Sequence, residues 1–398
     1  MAGITGTSRQ NDAIAAAAEA AALPRLREVS QPAWRELAAA AVEPNGYYLP
    51  EWALAVDAGA RERSDMQVLQ ARHSSGRLSA LLPVISAWRA FRLPLPLLVA
   101  AASYGTLRTP LLAQDDPVGA ASALLAEAKR SGAHALVFKD VPLQGAAFTA
   151  VRNALARDGL APTVLRSYLR AYLDATRNAD AQLRDALGRK KLKELRRQRH
   201  RLAETGALVF GVARTPGEVT QAIETFLALE ASGWKGARGT ALAQHAGDAA
   251  FIRRAAVELA AKGECEIATL SAGATPVASG IILRHNDRAF WFKLGIDEGF
   301  ARFSPGVQLA LDLTQHFCAD PEIAFVDSTA PPDSPMINPI WRDRFPMGDV
   351  VVPLTAGDPW LALILAALRT HQLADRSARR LLHLVRRAKA ALRRPHVS

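Results

Sequence analysis

The sequence contains little cysteine and no long apolar run. Only two cysteines, Cys265 and Cys318, occur in 398 residues, which excludes a disulfide framework and a cysteine-rich zinc site and is typical of a reducing compartment. No run of about 20 apolar residues is present, so no segment is expected to cross a bilayer as a helix. The first residues lack a basic stretch followed by a strong apolar one and do not predict a signal peptide. We therefore expect a cytoplasmic protein.

The charge of the chain is unbalanced towards the basic side. Lys and Arg number 49 and Asp and Glu number 38, which gives a formal net charge of +11. A basic surface can meet nucleic acid, an anionic membrane or a phosphate-bearing cofactor. Alternatively, the basic residues only face solvent. The two interpretations are equally good until the positions of these residues in the fold are known.

The chain is long enough for two or three domains, and 49% of its residues are hydrophobic. Apolar strands alternate with amphipathic helices over 25–178 and again over 207–356, which predicts an α/β (α+β) protein with two mixed-sheet domains in tandem. Residues 1–24 predict a flexible leader and residues 179–206 a basic connecting helix. Residues 357–398 predict a basic amphipathic tail made of two helices.

The tripeptide Ser304-Pro305-Gly306 opens a helix directly after an apolar strand predicted over 288–297. Serine is a preferred N-cap, proline fits the first helical position, and glycine removes a side chain where backbone N–H groups are unpaired. A helix start of this kind is a natural anion site. The alternative is that the tripeptide is only a good signal for a helix start.

The order of the predicted elements is strand, two helices, three consecutive strands, helix, strand, helical turn and strand. In this order residues 183–354 resemble the GNAT acyltransferases, and in particular the CelD/BcsL-type branch associated with cellulose biosynthesis. The matching stretches are RKKLKELRRQRHRLAETG, ALEASGWKGARGTAL and FSPGVQL. The N-terminal half resembles a degenerate second copy, opened by WRELAAAAVEPNGYYLPEWALA, in the duplicated layout of the FemAB-like aminoacyl transferases.

The resemblance implies an acyl-CoA donor, either acetyl-CoA or a longer acyl-CoA, and no metal. In that family the pyrophosphate lies on the amides at the start of the helix, and the pantetheine arm lies between the strands predicted here at 288–297 and 322–329. The sequence departs from the commoner loop pattern, because Pro305 stands where the first glycine is expected. The implied donor-binding residues are Arg302, Ser304, Gly306, Val307 and Leu294.

Transfer to an amine requires a group that handles the proton of the amine. Asp327 is the first candidate base, because it ends the strand at which the sheet is expected to splay, and Glu230 is the second. The alternative for Asp327 is that it caps the loop after the strand. The alternative for Glu230 is that it faces solvent on its helix. The tyrosine acid common in the family is missing from PPDSPMINPIWRDRF, so Asn338 or Ser334 is the candidate substitute. The candidate acceptor-binding residues are Trp234, which could equally belong to the core, Lys235 and Trp341.

These expectations describe an N-acyltransferase that moves an acyl group from acyl-CoA to an amine of a sugar, lipid or small molecule. One alternative is a Fem-like transferase that uses aminoacyl-tRNA, indicated only by the basic helix at 189–201. Another is a non-catalytic membrane-associated binding module, which the missing tyrosine favours. Residues 376–394 carry Arg on one face and Leu and Val on the other, which predicts contact with an anionic membrane surface at the inner face of the membrane. The alternative is that this helix packs on the protein.

Overall fold

The structure is a computed structural model that describes residues 23–61, 66–101 and 104–392, without the side chains of residues 376 and 378–392. Residues 1–22 of the predicted leader lie outside this description. In the part of the chain that is described, no helix combines the length and the apolarity needed to cross a bilayer.

One mixed sheet runs through the described chain. Its strands are β1 (Gln67–Arg72), β2 (Leu78–Ser86), β3 (Leu97–Ala100), β4 (Leu111–Leu112), β5 (Ala135–Pro142), β6 (Thr163–Asp174), β7 (Leu208–Ala213), β8 (Cys265–Ala272), β9 (Thr275–His285), β10 (Arg288–Ile296), β11 (Phe325–Asp327) and β12 (Asp343–Pro353). The order across the 12-stranded sheet is β1-β2-β3-β5-β12-β6-β11-β10-β9-β8-β7, and β4 pairs with β2 outside this path.

Helices cover both faces of this sheet. They are α1 (Gln31–Ala39), α2 (Pro50–Gly59), α3 (Ala87–Phe91), α4 (Pro117–Arg130), α5 (Ala146–Arg157), α6 (Ala179–Ala203), α7 (Pro216–Ser232), α8 (Trp234–Ala237), α9 (Ala246–Ala260), α10 (Pro305–Cys318) and α11 (Pro359–Leu392). The alternation of helices and strands confirms the α/β fold class predicted from the sequence.

Strand β12 joins the two halves of the chain. It lies between β5 and β6 and runs antiparallel to both, although it is the last strand in the sequence order given above. Strand β6 in turn pairs with β11. The C-terminal strand therefore completes the sheet of the N-terminal half, and the two predicted repeats share one continuous sheet.

Strand β10 separates two packed layers in the C-terminal half. Phe290 and Phe292 are buried in one cluster with residues of α7 and α9, whereas Trp291 is buried in another with residues of α10. A strand that is buried on both faces has apolar residues at nearly every position, which is why the sequence predicts a central position in the sheet. The structure confirms this position.

Three predicted elements differ from the observed ones. The tail is a single helix, α11, because no proline or glycine interrupts it, and its first turns bury Ile364 and Leu368. The connecting helix α6 breaks at Gly188, which has a φ of 67°. The strand predicted over 322–329 shortens to β11, which begins only at Phe325, and the chain leaves the extended conformation at Thr329, which has a φ of 51°.

Candidate active site

The gap between β10 and β11 is the feature on which a candidate donor site depends. The two strands run parallel and pair only from Arg288 opposite Phe325 to Phe290 opposite Asp327. Strand β10 continues to Ile296 with only β9 as a strand partner among the described residues. The strands therefore part after Asp327, as the sequence predicts.

A β-bulge lies in β10 directly beside this gap. Trp291 and Lys293 are opposite consecutive residues of β9, so Phe292 is the additional residue. A bulge bends the strand and re-aims the side chains next to it. Lys293 reaches Glu230 on α7, and its Nζ lies 3.3 Å from Glu230 Oε1.

Helix α10 begins at Pro305, as the sequence predicts, but Ser304 does not cap it through its side chain. Ser304 has a left-handed backbone with a φ of 55°, and its side chain makes no capping hydrogen bond. Its N–H donates instead to the carbonyl of Ala301, because a 3-10 turn over Glu298–Phe303 runs directly into the helix. The predicted capping role of Ser304 is therefore wrong.

Gly306 retains the one amide of the predicted anion site that donates to no described backbone group. The amide of Val307 donates to the Ser304 carbonyl at 2.9 Å, so the expectation of several open amides is wrong. A Cβ on Gly306 would lie 3.0 Å from Leu294 Cδ2, so the glycine allows α10 to approach β10 closely. Arg302 is exposed just before the helix, where its guanidinium is accessible to an anion.

Asp327, the first candidate base, is buried at the end of β11. Its Oδ2 lies 3.1 Å from Nη1 of Arg170, a buried residue of β6 in the N-terminal half. Its Oδ1 accepts the N–H of Thr329 at 2.7 Å, so Asp327 also caps the loop that follows, as the alternative expected. Each of the two contacts holds one oxygen of the carboxylate in place.

A chain of hydrogen bonds continues from Arg170 into the N-terminal half. Nη2 of Arg170 donates to the Tyr168 hydroxyl at 2.9 Å, and that hydroxyl donates to Oδ1 of Asp140 at 2.8 Å. Arg108 donates to Oδ2 of Asp140 at 2.8 Å. Burial alone would raise the pKa of Asp140, but the charge of Arg108 and the Tyr168 hydrogen bond outweigh burial and lower the pKa. Asp140 is therefore held in its ionised form.

Tyr47 brings a hydroxyl from the N-terminal half to the same place. Its ring lies 5.9 Å from that of Phe290 and 6.3 Å from that of Phe292. The hydroxyl is buried, makes no hydrogen bond of ordinary geometry with a described residue, has Thr106 and Thr329 as neighbours, and lies within electrostatic reach of Asp327 and Arg170. Burial raises the pKa of Tyr47, so the hydroxyl stays protonated and can donate. Sequence reasoning missed this tyrosine because it sought the acid only in the C-terminal half.

Glu230, the second candidate base, is buried and does not face solvent. Its Oε1 lies 3.1 Å from Nζ of Lys235, and its Oε2 accepts the N–H of Leu242 at 2.9 Å. Lys235 also donates to the carbonyl of Leu294 at 2.9 Å, on the edge of β10 beyond the bulge. Burial and the charge of Lys293 lower the pKa of Lys235 more than Glu230 raises it.

The remaining candidates lie in different environments. Trp234 is 49% exposed, and the guanidinium of Arg238 lies 4.7 Å above its ring, which excludes the core alternative. Trp341 is buried and its indole N–H donates to Thr314 at 2.9 Å, and its contact with an acceptor stays a prediction. Asn338 lies in the loop before β12, where its amide donates to a carbonyl of the same loop at 2.8 Å.

Helix α6 presents the predicted cationic face next to the start of α10. Leu195 and Leu202 are buried, and the helix packs on α10 and on the 3-10 turn before it. Arg199 pairs with Asp312 of α10 at 3.0 Å. The exposed basic residues of the run are Arg189, Lys190, Lys191, Lys193, Arg196, Arg197 and Arg201.

Comparison with known proteins identifies the C-terminal half. Residues 189–333 match the family described as an acetyltransferase (GNAT) domain, whereas no curated protein matches the chain in sequence. The solved structure of FemX is similar over 85% of this chain and 99% of its own, with 12% identity and a TM-score of 0.55. The C-terminal domain of a proposed lysylphosphatidylglycerol synthetase from Agrobacterium fabrum is similar over 85% and 96%, with 15% identity and a TM-score of 0.51.

A conserved protein of unknown function from Bacteroides thetaiotaomicron is similar over 83% of this chain and 100% of its own, with 10% identity and a TM-score of 0.51. At such identities the likeness concerns the fold alone. The CelD/BcsL-type branch stays a prediction. Residues 189–333 carry a GNAT acetyltransferase domain, and the enzyme class of the protein is acyltransferase.

Proposed function

We propose that the protein transfers an acetyl or longer acyl group from acyl-CoA to an amine. The observation that carries this proposal is the gap between β10 and β11 with a bulge at its side, within a GNAT acetyltransferase domain. A pantetheine arm lying in this gap brings its thioester close to Glu230, Lys235 and Asp327. The amide of Gly306, with Arg302 and the adjoining Ser304, Val307 and Leu294, is the proposed binding region for the rest of the donor.

In the proposed reaction the amine nitrogen bonds to the thioester carbonyl carbon and the carbon–sulfur bond breaks. The proton lost by the amine balances the charge of the departing thiolate, so the products are an amide and free CoA. A backbone N–H of β10 beside the bulge is the proposed donor to the oxyanion. Holding the two reactants together supplies a large part of the rate.

The side chains around the gap have separate proposed roles. The buried carboxylate of Asp327 attracts the ammonium form of the acceptor and takes one proton from it, which gives the neutral amine that attacks, and Tyr47 donates a hydrogen bond to the departing sulfur. Glu230 holds Lys235 and Lys293 at the acceptor side, where Trp234 offers an exposed aromatic face. Asn338 fixes the loop beside the pocket.

A thiol-release assay with acetyl-CoA, longer acyl-CoAs and a panel of amino sugars and small amines tests this function. The wild-type protein should release CoA thiol only when an acceptor amine is present. Asp333→Asn, in an exposed loop, is the matched control for changes at Asp327. Absence of release and of product with every donor–amine pair would remove the proposal.

A Fem-like transferase that takes its acyl group from aminoacyl-tRNA is the second candidate. Two observations favour it: the likeness to FemX along nearly the whole of that chain, and the exposed cationic face of α6. Binding of tRNA that falls steeply with added salt, together with no binding of acyl-CoA, would replace the first candidate with the second.

A further inference from the structure

A cavity of about 320 Å³ lies between α3, α11 and the strands β5, β6 and β12. Its lining contains none of the residues assigned above to the donor or the acceptor. The apolar part of the wall is formed by Phe91, Val137, Leu165 and Leu368. A space of this size can enclose most of a small organic molecule.

Two cations that form no close ion pair with a described residue line the same cavity. Lys139 forms no ion pair with a described residue, and its Nζ lies 5.6 Å above the ring of Phe91. Arg166 has its guanidinium 4.6 Å above the ring of Tyr168 and likewise forms no ion pair with a described residue. Burial and the charge of Arg108 lower the pKa of Lys139 more than the charges of Asp349 and Asp140 raise it.

The acidic groups of the wall act on these cations through charge, but none forms a close ion pair with them among the described residues. Asp349 is buried and accepts the N–H of Asp140 at 3.0 Å, and burial together with the charge of Asp140 raises the pKa of Asp349. Asp375 lies on α11 at 3.9 Å from His371 of the same helix. The cavity therefore combines an apolar wall with two cations that no described carboxylate contacts directly, and an amphipathic anion complements both.

We propose that this cavity binds a small amphipathic carboxylate. Its charged end pairs with Lys139 and Arg166, and its apolar body packs on Phe91, Val137 and Leu165. An ion pair made in a partly buried place is favourable when it compensates a cation that is already desolvated. Neither a short anion without an apolar body nor an apolar molecule without a charge satisfies both parts of the wall.

Calorimetric titration of the full chain with monomeric octanoate tests the proposal, with acetate and octanol as matched probes. Octanoate should bind, while acetate and octanol should bind at least about tenfold more weakly, which corresponds to about 1.4 kcal/mol. Lys139→Met should weaken octanoate by a similar factor. Lys129→Met, which removes an exposed lysine of α4, should leave binding unchanged. No heat with octanoate, or equal affinity in Lys139→Met, overturns the proposal.

Two further measurements do not depend on the stability of Lys139→Met. Ala90→Phe fills the cavity from α3 and should abolish octanoate binding while Lys139 is retained. In the wild-type protein, octanoate should protect Lys139 from an amine-acylating reagent, read by peptide mass spectrometry, and should not protect Lys129. Unchanged labelling of Lys139 at saturating octanoate, or full binding in a folded Ala90→Phe variant, overturns the proposal.

Discussion

Asp327 and Arg170 are both buried, and the ion pair between them joins the two halves of the chain at the place where β10 and β11 part. The sequence could predict the position of Asp327, because a carboxylate at the end of an apolar strand is visible as a pattern. It could not predict Arg170, which is 157 residues away and comes from a different half. The hydroxyl of Tyr47 was missed for the same reason.

Asp327→Asn should abolish acyl transfer and lower the free energy of unfolding by about 3 to 5 kcal/mol, because it leaves the buried Arg170 without its counter-charge. The double variant Asp327→Asn/Arg170→Met should recover most of the stability and none of the activity. Chemical denaturation and the thiol-release assay measure the two effects separately. Recovery of activity in the double variant would show that the carboxylate has only a structural role.

His285 gives the protein a stability that depends on pH. The ring is buried, its Nδ1 accepts the N–H of Asn45 at 3.0 Å, and its Nε2 lies 3.1 Å from the carbonyl of Ala38. Burial lowers the pKa of His285 from 6.5 to about 4. The unfolded chain therefore binds more protons between these two values, so this contribution is fully present above the higher pKa and is lost as the pH falls towards the lower one.

His285→Gln should make the free energy of unfolding less dependent on pH across this window, by about 3 kcal/mol over the whole of it. Urea denaturation at a series of pH values measures the change. His200→Gln removes an exposed histidine of α6 and should leave the wild-type profile intact. A profile for His285→Gln that parallels the wild type would contradict the assignment.

At the scale of elements, the break in α6 is set by one residue. Gly188 has a φ of 67° and a ψ of 166°, a conformation that is essentially restricted to glycine. Gly188→Ala should lower the free energy of unfolding by about 1 to 3 kcal/mol, measured by denaturation. Gly217→Ala, in the first turn of α7 with open space around it, should be neutral or stabilising. Equal effects of the two changes would contradict this explanation.

The start of α10 shows how far local sequence patterns reach. Pro305 at the first helical position follows from the fixed φ of proline, so the boundary was predictable. The roles of Ser304 and Val307 were not, because the preceding residues form a 3-10 turn whose hydrogen bonds use their amides. Gly306 was predicted to leave the helix start open to a ligand. In the structure, the absence of a side chain at Gly306 allows α10 to pack closely against Leu294.

At the scale of the whole molecule, the position of β12 decides how the halves depend on each other. Alternation of helices and strands predicts two α/β repeats, and the structure agrees. A pairing between the last strand and β5 leaves no local signal in the sequence, because register depends on the partner strand. The order of strands in the middle of the sheet was therefore beyond sequence reasoning.

The first part of α11 packs on the protein, and the structure does not describe most side chains from residue 376 onwards. Ile364 and Leu368 pack against the sheet, so removal of all of α11 would expose the core. We propose that 376–394 contacts anionic membranes. A chain that ends after Asp375 should keep its melting temperature and lose flotation with anionic vesicles, while full-length chain floats with anionic and not with neutral ones. Equal flotation of both chains would contradict the proposal.

The most direct measurement of the central claim is the affinity for acetyl-CoA and longer acyl-CoAs by calorimetry when the gap between β10 and β11 is blocked. Leu294→Trp adds bulk beyond the bulge of β10, where the side chain faces Gly306 in the proposed donor region, and Val209→Trp makes the same addition on β7, where the side chain is 56% exposed. The expected result is binding by the wild-type and Val209→Trp proteins and at least about tenfold weaker binding by Leu294→Trp, or about 1.4 kcal/mol. No binding of any acyl-CoA by the wild-type protein, or equal affinity in all three, would contradict the account.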